Sequence, residues 1–218
     1  MTTRTRLDLF KRYRNEYVAP KQPRLIQIES AQYLSIATDT APATSDPSMD
    51  ADPPTQVKAL YAIASALRTV ATAIYQRDFI LGKIEWLLCS HELSQPHQSH
   101  VMMRIPNFIT PDDLAQAVTA LVTRDMDKAV LHWIHYARLE TMSEGSCLQV
   151  LHAGPNTGAA QGQTLALLQN YARTHGFETT GPSHAVYLAN SRHVPPEHLR
   201  TLLRLPVRTL SAIELSPV

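Results

Sequence analysis

The chain has 218 residues, 44% hydrophobic and 18% charged, enough apolar material for one sizeable core or two small ones. Its formal net charge of +1 gives no global attraction to phosphate backbones, so nucleic acid is not an expected partner. Two cysteines, Cys89 and Cys147, both in apolar strand-like stretches, read as buried thiols and not as a disulfide framework.

Residues 1–17 carry Arg4, Arg6, Lys11, Arg12 and Arg14, interrupted by Asp8 and Glu16, with no apolar stretch behind them. They read as a short, solvated helical lead-in and not as a signal peptide. No stretch reaches the ~18 consecutive apolar residues that span a bilayer, so no membrane partner is expected and the expected compartment is the cytoplasm. Residues 24–38 (RLIQIESAQYLSIAT) alternate in the manner of a strand. Residues 39–54, rich in Ser, Thr, Ala, Asp and Pro, predict a loop. Val57, Leu60, Tyr61, Ala64, Leu67, Ala71 and Ile74 recur at three- and four-residue steps and predict a helix with one apolar face. Residues 79–89 read as a strand holding Glu85 and Trp86, residues 90–99 as a polar turn, and 101–105 as a second strand stopped by Pro106. Thr110-Pro111-Asp112-Asp113 is a helix start, with threonine as N-cap, proline at the first position and acids at the positive end of the dipole. Strands over 132–142 and 147–153 follow, joined by a turn at Ser143-Glu144-Gly145. Then come a helix over 161–175 ended by Gly176, a strand over 184–189, a helical turn over 195–201 and a last strand over 202–207.

The order strand–helix–strand–strand, a linker helix, then the same again suggests an internal repeat. Met102-Met103-Arg104-Ile105-Pro106 matches Leu202-Leu203-Arg204-Leu205-Pro206 one hundred positions later, and in that register Glu85 falls on Ala185. The predicted fold class is therefore α+β: two pseudo-symmetric modules, about 20–108 and 131–210, joined by a linker helix at about 110–128. The whole chain forms a single domain with a ligand cleft between the modules.

The ordered series Arg138-Leu139-Glu140, Glu144-Gly145-Ser146-Cys147-Leu148-Gln149-Val150-Leu151-His152-Ala153-Gly154-Pro155 and Ser183-His184-Ala185-Val186-Tyr187-Leu188 resembles the GyrI-like small-molecule-binding family. Arg192, Pro196-Glu197-His198-Leu199 and Leu203-Arg204-Leu205-Pro206-Val207 continue the match. Ala19-Pro20-Lys21, Ala59-Leu60-Tyr61, Glu85 and Met103-Arg104-Ile105-Pro106-Asn107-Phe108 fit in the first half, so the resemblance covers roughly residues 17–207. It implies a drug-binding fold for lipophilic, often cationic or polyaromatic compounds, shared with ligand domains of some transcription activators. Some free-standing members hydrolyse cyclopropane-bearing genotoxins. Two positions depart from the family pattern: Ala185 stands where a Glu is usual two residues before the tyrosine matched by Tyr187, and Asn156 where an aromatic commonly follows Gly-Pro.

Glu85, alone in an apolar strand, is exposed, paired or functional, because an unpaired buried carboxylate is costly. In a cleft it would serve as a general base or as a counter-ion for a cationic ligand; otherwise it pairs with Arg104. Tyr187 would donate a hydrogen bond and stack on a ligand, and Tyr33, Tyr61 and Met103 would line the same cleft; otherwise Tyr187 is a core tyrosine with its hydroxyl at the surface, and Tyr61, on the apolar face of its helix, packs in the core. Trp86, by alternation, faces the helices. Arg104 and Arg204 read as structural partners of a carboxylate or the backbone, and Glu140 with Arg138 as a surface pair. The histidine pairs His97/His100 and His132/His135 lack a third ligand at a convincing spacing, so neither a metal site nor a cofactor is expected. Gly154-Pro155-Asn156-Thr157-Gly158 lacks the ending of a phosphate loop, and Ser146-Cys147 lacks a nucleophile-elbow context. The expected function is binding of a small hydrophobic or cationic organic ligand, as a sequestering or resistance protein. One alternative is a hydrolase of cyclopropane-bearing genotoxins with Glu85 as base and Tyr187 as donor. A second is a protein-interaction inhibitor of a topoisomerase.

Overall fold

Of the apolar residues that predict the long helix, Val57, Leu60, Ala64, Leu67 and Ala71 are fully buried on one face of α2 (Thr55–Tyr75), joined by Ile63, while Tyr61 is half-buried and Ile74 is exposed near the helix end. Removing each large side chain from water contributes about 1.5–3 kcal/mol, so tertiary packing holds this helix. It stops at Gln76, which adopts a left-handed conformation and returns its N–H to the Ala71 carbonyl. By length and composition alone α2 could cross a membrane, yet its apolar face is the protein's own core.

The computed structural model describes residues 6–18, 20–38, 53–88, 99–189 and 194–210. Cys89, His97, Arg192, residues 90–98 of the predicted turn over 90–99 and most of the predicted loop at 39–54 lie outside these residues. Nine strands form the sheet: β1 (Arg24–Ile28), β2 (Ala31–Thr38), β3 (Glu85–Leu88), β4 (Ser99–Arg104), β5 (Ala137–Met142), β6 (Gly145–Ala153), β7 (Phe177–Thr179), β8 (Ser183–Tyr187) and β9 (Arg200–Thr209). Their order is β1-β6-β9-β8-β3-β4-β2-β5, antiparallel throughout, with β7 pairing only with β9. The α+β class and the two related halves are thus present, meeting at β8–β3. Each half lends its first strand to the other: β1 pairs with β6, and β5 with β2.

That exchange bends the sheet. The stretch expected as one strand over 24–38 is broken at Glu29-Ser30, and its partner at Ser143-Glu144. Pairing keeps one register across the break, with Ile28 opposite Gly145 and Ala31 opposite Met142. The two ends of the strand order are therefore parts of the same two long strands, and the sheet curls until they meet. Gly145, with φ of 67°, makes the bend that a side chain would strain.

The helices lie outside the curl. α2 packs on β2 and β4, and α5 (Gly158–Thr174) on β6, β9 and β7. The predicted linker is two helices, α3 (Pro111–Val122) and α4 (Lys128–Ile134). Thr110 and Asp113 close a reciprocal capping box on α3. The strand expected from 132 begins only at 137, because Asp127 caps Ala129 and starts a helix that takes in His132 and Trp133. A short apolar run carries no period long enough to separate the two states. β3 is likewise shorter than expected, and β9 longer.

The lead-in is solvated on one side only: Lys11, Arg12, Arg14 and Asn15 are exposed, as expected, but its other side is not. α1 (Leu9–Arg12) and a 3-10 turn (Arg14–Tyr17) pack on the inside of the curl, where Glu16 and Tyr17 are buried. Tyr17 joins Val186 and Leu202 there, flanked by Phe10 and Tyr13.

Candidate functional site

Alternation along the strands sends side chains to two different environments. Outward, against the helices, point Trp86, Met103, Ala185, Tyr187 and Leu203, all in the main core. Inward point Tyr33, Glu85, Arg104, Gln149, His184 and Arg204. The ladder settles the faces, since Glu85 stands opposite Val186 on one side and Met102 on the other, and residues directly opposite share a face. The expected site residues are therefore divided. Tyr61, Met103 and Tyr187 belong to the helix side; Glu85 and Tyr33 belong to the inside. Glu85 and Tyr187, paired in the hydrolytic expectation, lie on opposite faces of the sheet.

The same ladder corrects the repeat. Met102 and Leu202 correspond, but Met102 pairs with Glu85 while Leu202 pairs with Val186. The structural counterpart of Glu85 is Val186 and not Ala185. A one-residue offset between β3 and β8 flips the face, so Glu85 cannot replace the carboxylate missing at Ala185.

Inside the curl, ionisable side chains form a chain. Tyr17 donates to Glu85 Oε1 at 3.3 Å, and Glu85 Oε2 lies 3.0 Å from His184 Nε2. The latter is a close ion pair whose N–H is not aimed along the contact. His184 Nδ1 meets Glu144 Oε1 at 3.0 Å, and Arg204 donates to Glu144 Oε2 at 3.3 Å, to Gln149 Oε1 at 2.6 Å and to the Glu16 carbonyl at 2.7 Å. Arg104 donates to the Glu16 carboxylate at 2.7 Å, and its guanidinium stacks 3.7 Å from the Tyr13 ring centre. Glu85, His184 and Arg204 are wholly buried. Burial pulls the His184 pKa down, but Glu144 and then Glu85 outweigh it and raise it to about 9. Burial pushes Glu144 up, and His184 and Arg204 reverse this and hold it at about 2. Burial, then the Glu85 charge, raises the Tyr17 and Tyr33 hydroxyls well above their usual value. The Tyr33 hydroxyl is buried without a hydrogen-bond partner among the described residues, and its ring stands edge-on to His184 at 6.4 Å.

On the helix side, Trp86 is 2% exposed and its indole N–H has no hydrogen-bond partner among the described residues. Around it along β3, β8 and their neighbours stand Ala185, Tyr187, Met103 and Leu203, with Tyr61 half-buried on α2. This strip is aromatic and apolar, without a carboxylate on the paired strands β3 and β8.

The fold has solved counterparts. An uncharacterized conserved protein from Listeria innocua is similar with a TM-score of 0.74 and 25% identity, over 93% of this chain and 100% of that one. A hydrolase from Listeria innocua is similar with a TM-score of 0.73 and 24% identity, again over 93% and 100%. EcmrR, in a complex with DNA, matches over 93% of this chain and 63% of its own, with a TM-score of 0.50 and 10% identity, a likeness of fold alone. No family model matches the chain, and no curated protein sequence matches it.

Sequence reasoning did not reach Glu16, Tyr17, Glu144 and His184 as members of the cluster. Glu144 sat in a predicted turn and Glu16 in a predicted solvated helix. Arg104 and Arg204 do pair with a carboxylate, and Arg204 with the backbone as well, as their sequence context predicts. Glu140 lies 3.7 Å from His100, while Arg138 donates to the carbonyls of His135 and Ala137. An open groove of about 750 Å³ runs between Lys21–Pro23, the end of β6 and α5, and none of the expected site residues line it.

Proposed function

We propose that the chain binds a flat, apolar organic molecule on the helix-side strip, as a sequestering or resistance protein of GyrI-like type. The observation that carries this reading is the buried indole N–H of Trp86, without a hydrogen-bond partner among the described residues and flanked by Tyr187, Met103 and Ala185. A buried donor without a partner is costly, and an acceptor on an aromatic ligand would satisfy it. With Ala185 in place of a carboxylate, and with Glu85 inside the curl and paired to His184, the strip favours neutral ligands over cations. Fluorescence titration with a polycyclic aromatic ketone and its parent hydrocarbon tests this. Trp86→Phe should weaken ketone binding about 2- to 10-fold, as for one hydrogen bond, and leave the hydrocarbon unchanged. Equal effects on both, or no saturable binding, would remove the reading.

Hydrolysis is a second reading, favoured by the Glu85–His184–Glu144 chain. Its donor would be Tyr33, which shares the inner face, in place of Tyr187. Glu85 would take a proton from water, the hydroxyl would open a strained cyclopropane, and the ring-bond electrons would pass to a conjugated carbonyl that Tyr33 protonates. Incubation with a cyclopropane-bearing indole compound, followed by mass spectrometry, checks it. Ring-opened product should vanish in Glu85→Gln and persist in Tyr187→Phe; product persisting in Glu85→Gln would exclude Glu85 as base.

A further inference from the structure

The inner cluster contains two buried guanidiniums, Arg104 and Arg204, 3% and 0% exposed. Both are satisfied in part by one residue of the N-terminal segment: Arg104 by the Glu16 carboxylate and Arg204 by the Glu16 carbonyl, each at 2.7 Å. Beside Glu16, the Tyr17 ring fills the apolar space against Val186 and Leu202. An aromatic body carrying an anionic end thus already occupies this pocket, supplied by the chain itself. The segment that supplies it is short: one helical turn and one 3-10 turn, outside the sheet ladder and joined upstream through Leu7 to Phe79. Formally, Arg104, Arg204 and protonated His184 oppose Glu85 and Glu144, leaving one positive charge that Glu16 cancels. The Tyr33 hydroxyl, buried and without a hydrogen-bond partner among the described residues, is a further polar atom inside the same face.

We propose that residues 13–17 are a self-ligand, and that the pocket beneath them takes an aromatic molecule bearing a carboxylate or sulfonate. The anionic end would replace Glu16 between Arg104 and Arg204, the ring would replace Tyr17, and the segment would swing away. Bidentate guanidinium groups suit such planar or tetrahedral anions. The affinity seen in the intact protein would be reduced by the fraction of time the segment is seated. This pocket lies on the sheet face opposite the Trp86 strip, so its failure would leave the reading of that strip standing.

The full chain would be titrated with anilinonaphthalene sulfonate and, in parallel, with a rhodamine cation, with hydrogen exchange read over residues 7–18. The sulfonate should speed exchange in this segment, and Glu16→Gln should tighten sulfonate binding about tenfold or more, as for release of one charge-assisted hydrogen bond. Adding Arg104→Met to Glu16→Gln should cancel that gain, while Arg104→Lys, which keeps the charge should Met fail to fold, should retain part of it. Sulfonate affinity unaffected by Glu16→Gln, or exchange unchanged on binding, would overturn the proposal. So would a rhodamine response equal to that of the sulfonate, which would show an opened cleft without anion selectivity.

Discussion

Raising the pH should remove the proton that holds the inner cluster together. His184 is wholly buried between two carboxylates, and its pKa is raised from 6.5 to about 9. A group whose folded pKa is raised stabilises the fold fully below its unfolded value and loses that contribution as pH climbs through the folded one. The shift corresponds to about 3 kcal/mol, fully present below about pH 6, and about 2 kcal/mol of it disappears between pH 7 and pH 9. The lowered pKa of Glu144 is largely the same interaction seen from its partner, so the two are not added. Urea unfolding at half-unit steps from pH 6 to pH 9.5 would read this directly. At roughly 2 kcal/mol per molar urea, the wild-type midpoint should fall by about 1 M between pH 7 and pH 9. His184→Gln should be less stable at neutral pH and flat across the same window. The decisive quantity is the difference between the two curves. Parallel curves would mean that His184 is not held protonated by Glu85 and Glu144, and the charge assignment of the cluster would fail.

Three further outcomes follow from the same geometry. Glu144→Gln leaves His184 and Arg204 without their shared carboxylate and should cost about 3–5 kcal/mol in urea unfolding, with the His184 imidazole titrating at lower pH by NMR; a loss near that of a surface pair, under about 1 kcal/mol, would contradict its burial. Gly82→Ala should lose about 1–3 kcal/mol, because an added methyl would meet the Arg104 carbonyl oxygen at 2.8 Å and Met103 Cγ at 3.0 Å; an unchanged thermal midpoint would show that this strand edge can move. Cys147 is buried, and burial followed by the Glu144 charge pushes its thiol up to about 12; in a Cys89→Ser background it should ignore an aromatic disulfide reagent at pH 8 until urea unfolds the protein, and prompt reaction would refute its burial.

Much of the architecture is written locally. The three- and four-residue steps of α2, the Thr110 cap of α3, the Gly176 stop after α5 and the matched strands at 102–106 and 202–206 are each decided by neighbours a few residues away. Sequence alone therefore determined the α+β class, the doubling of the fold and the pairing of Arg104 and Arg204 with carboxylate or backbone. Tertiary structure decided what those features do. Alternation tells which residues share a face but not which face is inside, and a one-residue offset between β3 and β8 put Glu85 in a different environment from Tyr187. The cluster draws on Glu16, Glu85, Glu144, His184 and Arg204, which come from five separate stretches of chain, and their charges can share one buried site only because the sheet curls upon itself. That curl depends on two strands keeping one register across a glycine bend. A reading of short-range periodicity cannot register it, because the bond partners lie more than a hundred residues apart.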